Sequence, residues 1–128
     1  MTGAAPRVLM VEDEMMIRVL TTDMLEELGF EVVEAGSAAE ALDLLESAGP
    51  VQAALVDLGL PDRPGEDLIH DLRALRPDLP VVVVTGRDAS ALSGRTRALP
   101  DLGFLEKPYD MPELERALAH IRPGGGAQ

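Results

Sequence analysis

The chain has 128 residues, with 11 basic against 23 acidic side chains and a net charge of −12. That length suits one domain, and a 46% hydrophobic content supplies a core and argues against disorder. The acidic balance argues against nucleic-acid binding, the lack of cysteine removes disulfides and thiolate chemistry, and the apolar runs are far too short to span a membrane.

The first apolar run, Val8-Leu9-Met10-Val11, reads as a buried strand and starts too early for a secretory signal, so a cytoplasmic protein is expected. Ile17, Leu20, Met24 and Leu28 then recur at spacings of three and four, predicting a helix with these four on its inner face, stopped by Gly29. Phe30 to Glu34 predicts a second strand. Ser37 with Glu40 predicts a capping box opening a second helix through Leu42 and Leu45 to Gly49-Pro50. Ala53 to Val56 predicts a third strand, and Gly65 leads into a helix with Leu68, Leu72 and Leu75 on one face, ended by Pro77. Val81 to Val84, four β-branched residues after a proline, predicts a fourth strand. A weak helix follows from about Asp88 to Ala98, interrupted by Gly94. Leu102 to Glu106 predicts a fifth strand, and Asp110 caps a last helix bearing Leu114, Leu118 and Ile121.

Strict alternation of strands and helices predicts a parallel sheet, because parallel neighbours need crossovers. The first, third and fourth strands are continuously apolar, as central strands covered on both faces must be. The second and fifth carry Glu31, Glu34 and Glu106, which suits edges. The expectation is therefore an α/β, doubly wound (βα)5 sandwich with a parallel five-stranded sheet in the order 2-1-3-4-5. Residues 1–6 form a lead, 7–122 the domain, and 123–128, rich in glycine, a flexible tail.

Ligands of such a sheet bind beyond the carboxyl ends of its strands. There the chain places Glu12 and Asp13 after the first strand, Asp57 after the third, Thr85 after the fourth and Lys107 after the fifth. One carboxylate at a strand end is ordinary solvation; four ends supplying three acids, a hydroxyl and an ammonium are not. Two like charges 4 Å apart repel by about 4 kcal/mol at an effective dielectric of 20, and Lys107 neutralises only one of three acids. Oxygen ligands and residual negative charge suit Mg²⁺, which keeps waters and shares phosphate oxygens. In that chemistry Asp57 is a nucleophile toward phosphorus, Lys107 and the cation neutralise phosphoryl oxygens, and Thr85 donates a hydrogen bond to one.

The segments Val8-Leu9-Met10-Val11-Glu12-Asp13-Glu14, Val56-Asp57-Leu58-Gly59-Leu60-Pro61, Val84-Thr85-Gly86 and Lys107-Pro108 resemble the signature set of two-component response-regulator receiver domains, over about residues 7 to 122. The resemblance, to chemotaxis-receiver-like modules, implies that Asp57 accepts a phosphoryl group from a histidine kinase or histidine phosphotransfer protein. It implies a Mg²⁺ site of Asp13, Asp57, the Gly59 carbonyl and Glu12, the last through water. It further implies that Thr85 and Lys107 contact the phosphoryl group, and that the Lys107–Pro108 peptide is often cis. Glu12 stands where many members have aspartate, and Phe104 where the switch aromatic is often tyrosine. Thr85 and Phe104 would form the switch, and output would pass to a protein partner or a homodimer through the fourth helix, fifth strand and fifth helix. Such a module is no enzyme beyond self-catalysed phosphoryl acceptance and slow autodephosphorylation, with Gly59 and Arg87 flanking the path of the hydrolytic water.

Starting at Met1 suits a single-domain regulator, while a receiver excised from a hybrid histidine kinase would look the same. An aspartyl-phosphate phosphatase would need an acid–base aspartate at the position of Gly59. A flavin module would need a hydroxyl- and glycine-rich loop where Glu12, Asp13 and Glu14 stand, and a purely scaffolding receiver would not need Asp57, Thr85 and Lys107 together. Met15 and Met16 read as packing residues, and His70 and His120 as surface residues. Arg95 and Arg97 read as a solvated face, with a partner role left open.

Overall fold

Residues of a strand point alternately to opposite faces, and in this protein both faces are apolar. In the computed structural model, which describes residues 5–86 and 92–119, five parallel strands run β1 (Arg7–Val11), β2 (Glu31–Ala35), β3 (Ala53–Asp57), β4 (Val81–Thr85) and β5 (Leu102–Glu106). They lie in the order β2-β1-β3-β4-β5, the expected doubly wound sheet. Helices α1 (Met15–Glu27), α2 (Ala38–Ser47), α3 (Gly65–Leu75), α4 (Gly94–Arg97) and α5 (Met111–Ala117) connect and follow them. Leu9, Val11, Ala54, Val56, Val81 and Val83 face one way, into a core with Ala41 and Leu45 of α2 and Leu68, Ile69 and Leu72 of α3. Val8, Met10, Leu55, Val82 and Val84 face the other way, onto Leu25 of α1 and Leu114 of α5. The β3 and β4 strands are buried throughout, whereas Glu31, Glu34 and Glu106 on the two edge strands are exposed.

Several local expectations shift. The inner face of α1 is set by Thr21 and Leu25, with Met24 and Leu28 packed beside it; Leu20 is 57% exposed. The four-residue spacing was real, but the helix docks rotated from it, leaving Ile17 and Leu20 on a groove rather than in the core. On α3, Ile69 takes the inner position and Leu75 is exposed. The α2 cap is half of a capping box: Ser37 Oγ accepts from Glu40 N at 3.2 Å, but Glu40 Oε1 accepts from Gly36 N at 2.8 Å rather than from Ser37. The full reciprocal box is at α5, between Asp110 and Glu113. Gly29 and Gly49 end α1 and α2 with φ of 101° and 88°, the left-handed conformation a side chain resists.

The fourth helix differs most. Its described part is the single turn α4, which Gly94 opens rather than interrupts, capped by Ser93 Oγ from Thr96 N. It is not poorly held: Leu92 and Thr96 are buried, and Glu66 of α3 accepts from Ser93 N (3.1 Å), Ser93 Oγ (2.7 Å) and Thr96 Oγ1 (2.6 Å). Arg87, Asp88, His120, Ile121 and the 123–128 tail lie outside the described residues.

One glycine governs how α3 meets the acid-bearing end of β3. A Cβ on Gly65 would lie 2.6 Å from both Asp57 O and Leu58 Cα, backbone atoms that cannot swing aside. Alanine gains about 1 kcal/mol over glycine in a helix, so propensity alone predicts stabilisation by Gly65→Ala. Overpacking costs about 1–3 kcal/mol, and against backbone it should win. The variant is expected to unfold at lower urea concentration than wild type; a higher midpoint would contradict the contact.

Candidate functional site

The register of the sheet assembles the site. Val11 pairs with Val56, so the next residues, Glu12 and Asp57, emerge side by side from β1 and β3. Asp57 pairs with Val84, which puts Thr85 one step further along β4. Thr85 O accepts from Lys107 N at 2.9 Å, bringing the lysine to the same rim. The strand ends that the sequence singles out therefore lie together at one rim.

Lys107 Nζ bridges two acids, at 3.0 Å from Glu12 Oε1 and 3.2 Å from Asp57 Oδ2. Glu12 Oε2 accepts from Glu14 N at 3.0 Å, and Asp57 Oδ1 from Gly59 N at 3.3 Å. Glu12, Asp57 and Thr85 are buried and Asp13 is exposed. Carboxylate oxygens of Glu12, Asp13 and Asp57 all lie within 4.8 Å of one another. Burial pushes the Glu12 carboxyl up, against the amide of Glu14 and the ammonium of Lys107 that pull it down. For Lys107, burial alone would lower the pKa, but the hydrogen bond to Glu12 and the charges of Asp57 and Glu12 outweigh it and hold the lysine above its ordinary value. The amine is therefore a cation at neutral pH. One ammonium among three carboxylates leaves two negative charges without local compensation, in an all-oxygen donor set. That is the chemistry of a hard divalent cation, and Asp13, open to water on the rim, gives it a way in.

Gly59 is exposed, with open space where its side chain would be. Phe104 stands on β5 at 44% exposure, facing outward. The Lys107–Pro108 peptide is cis.

Four arrangements at or near the rim had no clear signal in the sequence. Arg18 of α1 donates from Nη1 to Glu12 O at 2.7 Å and pairs with Glu34 at 3.3 Å, tying the β1 and β2 ends together. Asp62 accepts from Ala38 N and Ala39 N across two loops, each at 3.0 Å. His70, read as a surface residue, is half-buried with Nε2 3.1 Å from Thr96 Oγ1. The Tyr109 hydroxyl lies 2.5 Å from Thr21 Oγ1, joining α1 to the loop after β5. Apart from Arg18 and Glu12, six residues apart, each partner is distant in sequence and leaves no local pattern to read. Beside Tyr109, a groove of about 320 Å³ is lined by Ile17, Leu20, Met24 and Pro108 and reaches Lys107.

A family model for the response regulator receiver domain matches residues 8–119, and the chain belongs to that family. It is 34% identical over 115 residues to the sensor kinase CckA of Brucella abortus, covering 89% of this chain and 12% of that one. It is 35% identical over 126 residues to the transcriptional regulatory protein PdtaR of Mycobacterium tuberculosis, covering 94% and 60%. The chain thus spans less than two thirds of these relatives. A CheY-like receiver domain from Methylobacillus flagellatus superposes with a TM-score of 0.82 at 33% identity, over 93% of this chain and 100% of that one. The protein is a receiver module of two-component signalling, and no helix among its described residues is long and apolar enough to cross a membrane.

Tyr109 is the only tyrosine, so its titration can be followed without interference. Burial pushes its phenol above the ordinary 10.0, while the Thr21 hydroxyl pulls it down and the Glu12 carboxylate adds to the rise. The folded state therefore keeps a proton that the unfolded state loses: this contribution to stability is full below about pH 10 and is lost as pH rises through the folded value. Phenolate absorbance should show Tyr109 titrating above 10 in the native protein and higher still in Thr21→Val. An unchanged titration in that variant would contradict the hydrogen bond, and a fall would mean that the phenol donates to Thr21 rather than accepts from it.

Proposed function

We propose that this receiver accepts a phosphoryl group on Asp57 from a histidine kinase or histidine phosphotransfer protein. The observation that carries the reading is the ammonium of Lys107 3.2 Å from the buried carboxylate of Asp57, with Glu12 and Asp13 alongside. A carboxylate oxygen of Asp57 attacks phosphorus; the P–N bond of the donor's phosphohistidine breaks as the P–O bond forms, and the electron pair stays on the imidazole nitrogen. Lys107 balances the charge that accumulates on the phosphoryl oxygens, and Thr85, at the end of β4, donates a hydrogen bond to one of them. Asp13, Asp57, the Gly59 carbonyl and, through water, Glu12 would hold Mg²⁺, which when bound adds the positive charge that Lys107 alone does not supply. The same rim is flanked by Met15 and Met16, both largely exposed at the start of α1, and a phosphodonor reaching Asp57 must pack near them. Similarity to a sensor kinase as well as to a transcriptional regulator supports a kinase or phosphotransfer partner and leaves two settings for the module: a stand-alone regulator, or the receiver of a hybrid kinase. Residues 7–122 would form the working domain.

Incubation with acetyl phosphate and Mg²⁺ should add one phosphoryl group, labile to base and hydroxylamine as an acyl phosphate is and visible by intact mass. Asp57→Asn should abolish it, and omission of Mg²⁺ should suppress it. Labelling of Asp57→Asn at wild-type stoichiometry would defeat the assignment.

Readout follows from the pairing of β4 with β5. Thr85 pairs with Glu106, two residues beyond Phe104, so movement of the Thr85 hydroxyl toward a phosphoryl oxygen opens space that an inward Phe104 can fill. The surface of α4, β5 and α5 would change shape with it, for a downstream protein or a second copy to read. A bias of about 1.4 kcal/mol shifts such an equilibrium tenfold. Phe104→Ala should leave phosphorylation of Asp57 intact while removing the beryllofluoride-induced change in amide exchange over residues 92–104. Identical exchange of the wild type with and without beryllofluoride would place the readout elsewhere.

A further inference from the structure

The residues assigned above to Mg²⁺ come from the end of β3 and from two separate loops. Glu12 and Asp13 open the connection from β1 to α1, while Gly59 lies two residues past the end of β3. The pairing of β1 with β3 sets Glu12 beside Asp57, but it does not reach Gly59. A second tie between the loops runs outside the sheet. Glu12 N donates to Ala35 O at the end of β2, at 3.0 Å. The chain turns through Gly36 and Ser37 into α2, whose first two amides, Ala38 N and Ala39 N, donate to the two oxygens of Asp62 at 3.0 Å each. Asp62 lies three residues beyond Gly59 in the same loop. The circuit is closed on the other side, where Gly59 N donates to Asp57 Oδ1 and Lys107 joins Asp57 to Glu12.

We propose that Asp62 is a positioning residue for the metal site: by clamping the loop after β3 to the start of α2, it holds the Gly59 carbonyl at a set span from Glu12 and Asp13 before a cation arrives. The role rests on the metal reading above. Helix N-terminal amides have no partner inside the helix and favour an anion, and both of the first two are spent on this one carboxylate, which they hold below the usual aspartate range. Asp62 and Ser37 divide the cap of α2 between them, Ser37 taking Glu40 N and Asp62 the two amides before it, but Ser37 belongs to the helix's own chain end. What Asp62 adds is a bond to a different loop. It touches no reacting atom; it acts by removing freedom the loop would otherwise lose on binding the ion, the usual effect of groups that orient metal ligands.

The test is Mn²⁺ binding to the full chain, followed by the electron paramagnetic resonance of the free ion and displaced by Mg²⁺. Wild type, Asp62→Ala, Asp62→Asn and Ser37→Ala are compared, with urea unfolding of each in the absence of metal. Asp62→Ala is expected to weaken binding about tenfold. Asp62→Asn, which retains one acceptor oxygen, should weaken it less. Ser37→Ala should bind as wild type does, even if α2 and the whole fold are less stable. Unchanged binding by Asp62→Ala, or equal weakening by Ser37→Ala, overturns the positioning role while leaving the metal site standing. A wild type that binds no Mn²⁺ overturns the metal reading and this role with it.

Discussion

Everything at the working end of this protein depends on three carboxylates held together where two of them have little water. Burial of Glu12 and Asp57 at adjacent strand ends is unfavourable for the charged forms. The sheet imposes it because the β1–β3 register cannot change without turning every core side chain to the wrong face. Lys107 is the one local answer, shared between the two buried acids. The charge it leaves uncompensated favours a cation at this rim. The site is thus strained electrostatically rather than sterically, a strain that a bound cation would relieve.

The surrounding structure ties together the elements that carry these groups. Arg18 fastens the β1 and β2 ends, Tyr109 fastens the loop after β5 to α1, and Gly65 lets α3 press directly on the backbone of Asp57. On the other side of the fold, Arg73 of α3 is buried and spends its guanidinium on the carbonyls of Leu79, Pro100 and Asp101, which anchors α3 to the segments entering β4 and β5. Glu66, next to Gly65, reaches α4 through Ser93 and Thr96. The single turn α4 is therefore held by directional polar bonds to α3 rather than by a broad apolar face. Such bonds can be exchanged for others at small net cost, since a typical intramolecular hydrogen bond contributes only about 0.5–1.5 kcal/mol net. An element that is ordered yet replaceable in this way fits the two-shape readout proposed for this surface.

The sequence by itself determined the architecture and the polar groups gathered at one rim. Alternation of strand and helix dictates a parallel sheet, the apolarity of β1, β3 and β4 dictates that they are central, and strand ends dictate where Glu12, Asp13, Asp57, Thr85 and Lys107 must meet. These are consequences of period and position along the chain, which a sequence displays directly. Only the tertiary structure decided how each helix is rotated on the sheet and which distant polar groups find one another. The apolar stripe of α1 is broad enough to permit more than one rotation, and packing chose Thr21 and Leu25 for the core while leaving Leu20 outside. Asp62 and the amides of α2, Glu66 and Thr96, and Tyr109 and Thr21 are separated by 23 to 88 residues. No local pattern encodes such pairs, because the loops that bring them together are positioned by the core and not by their own sequence.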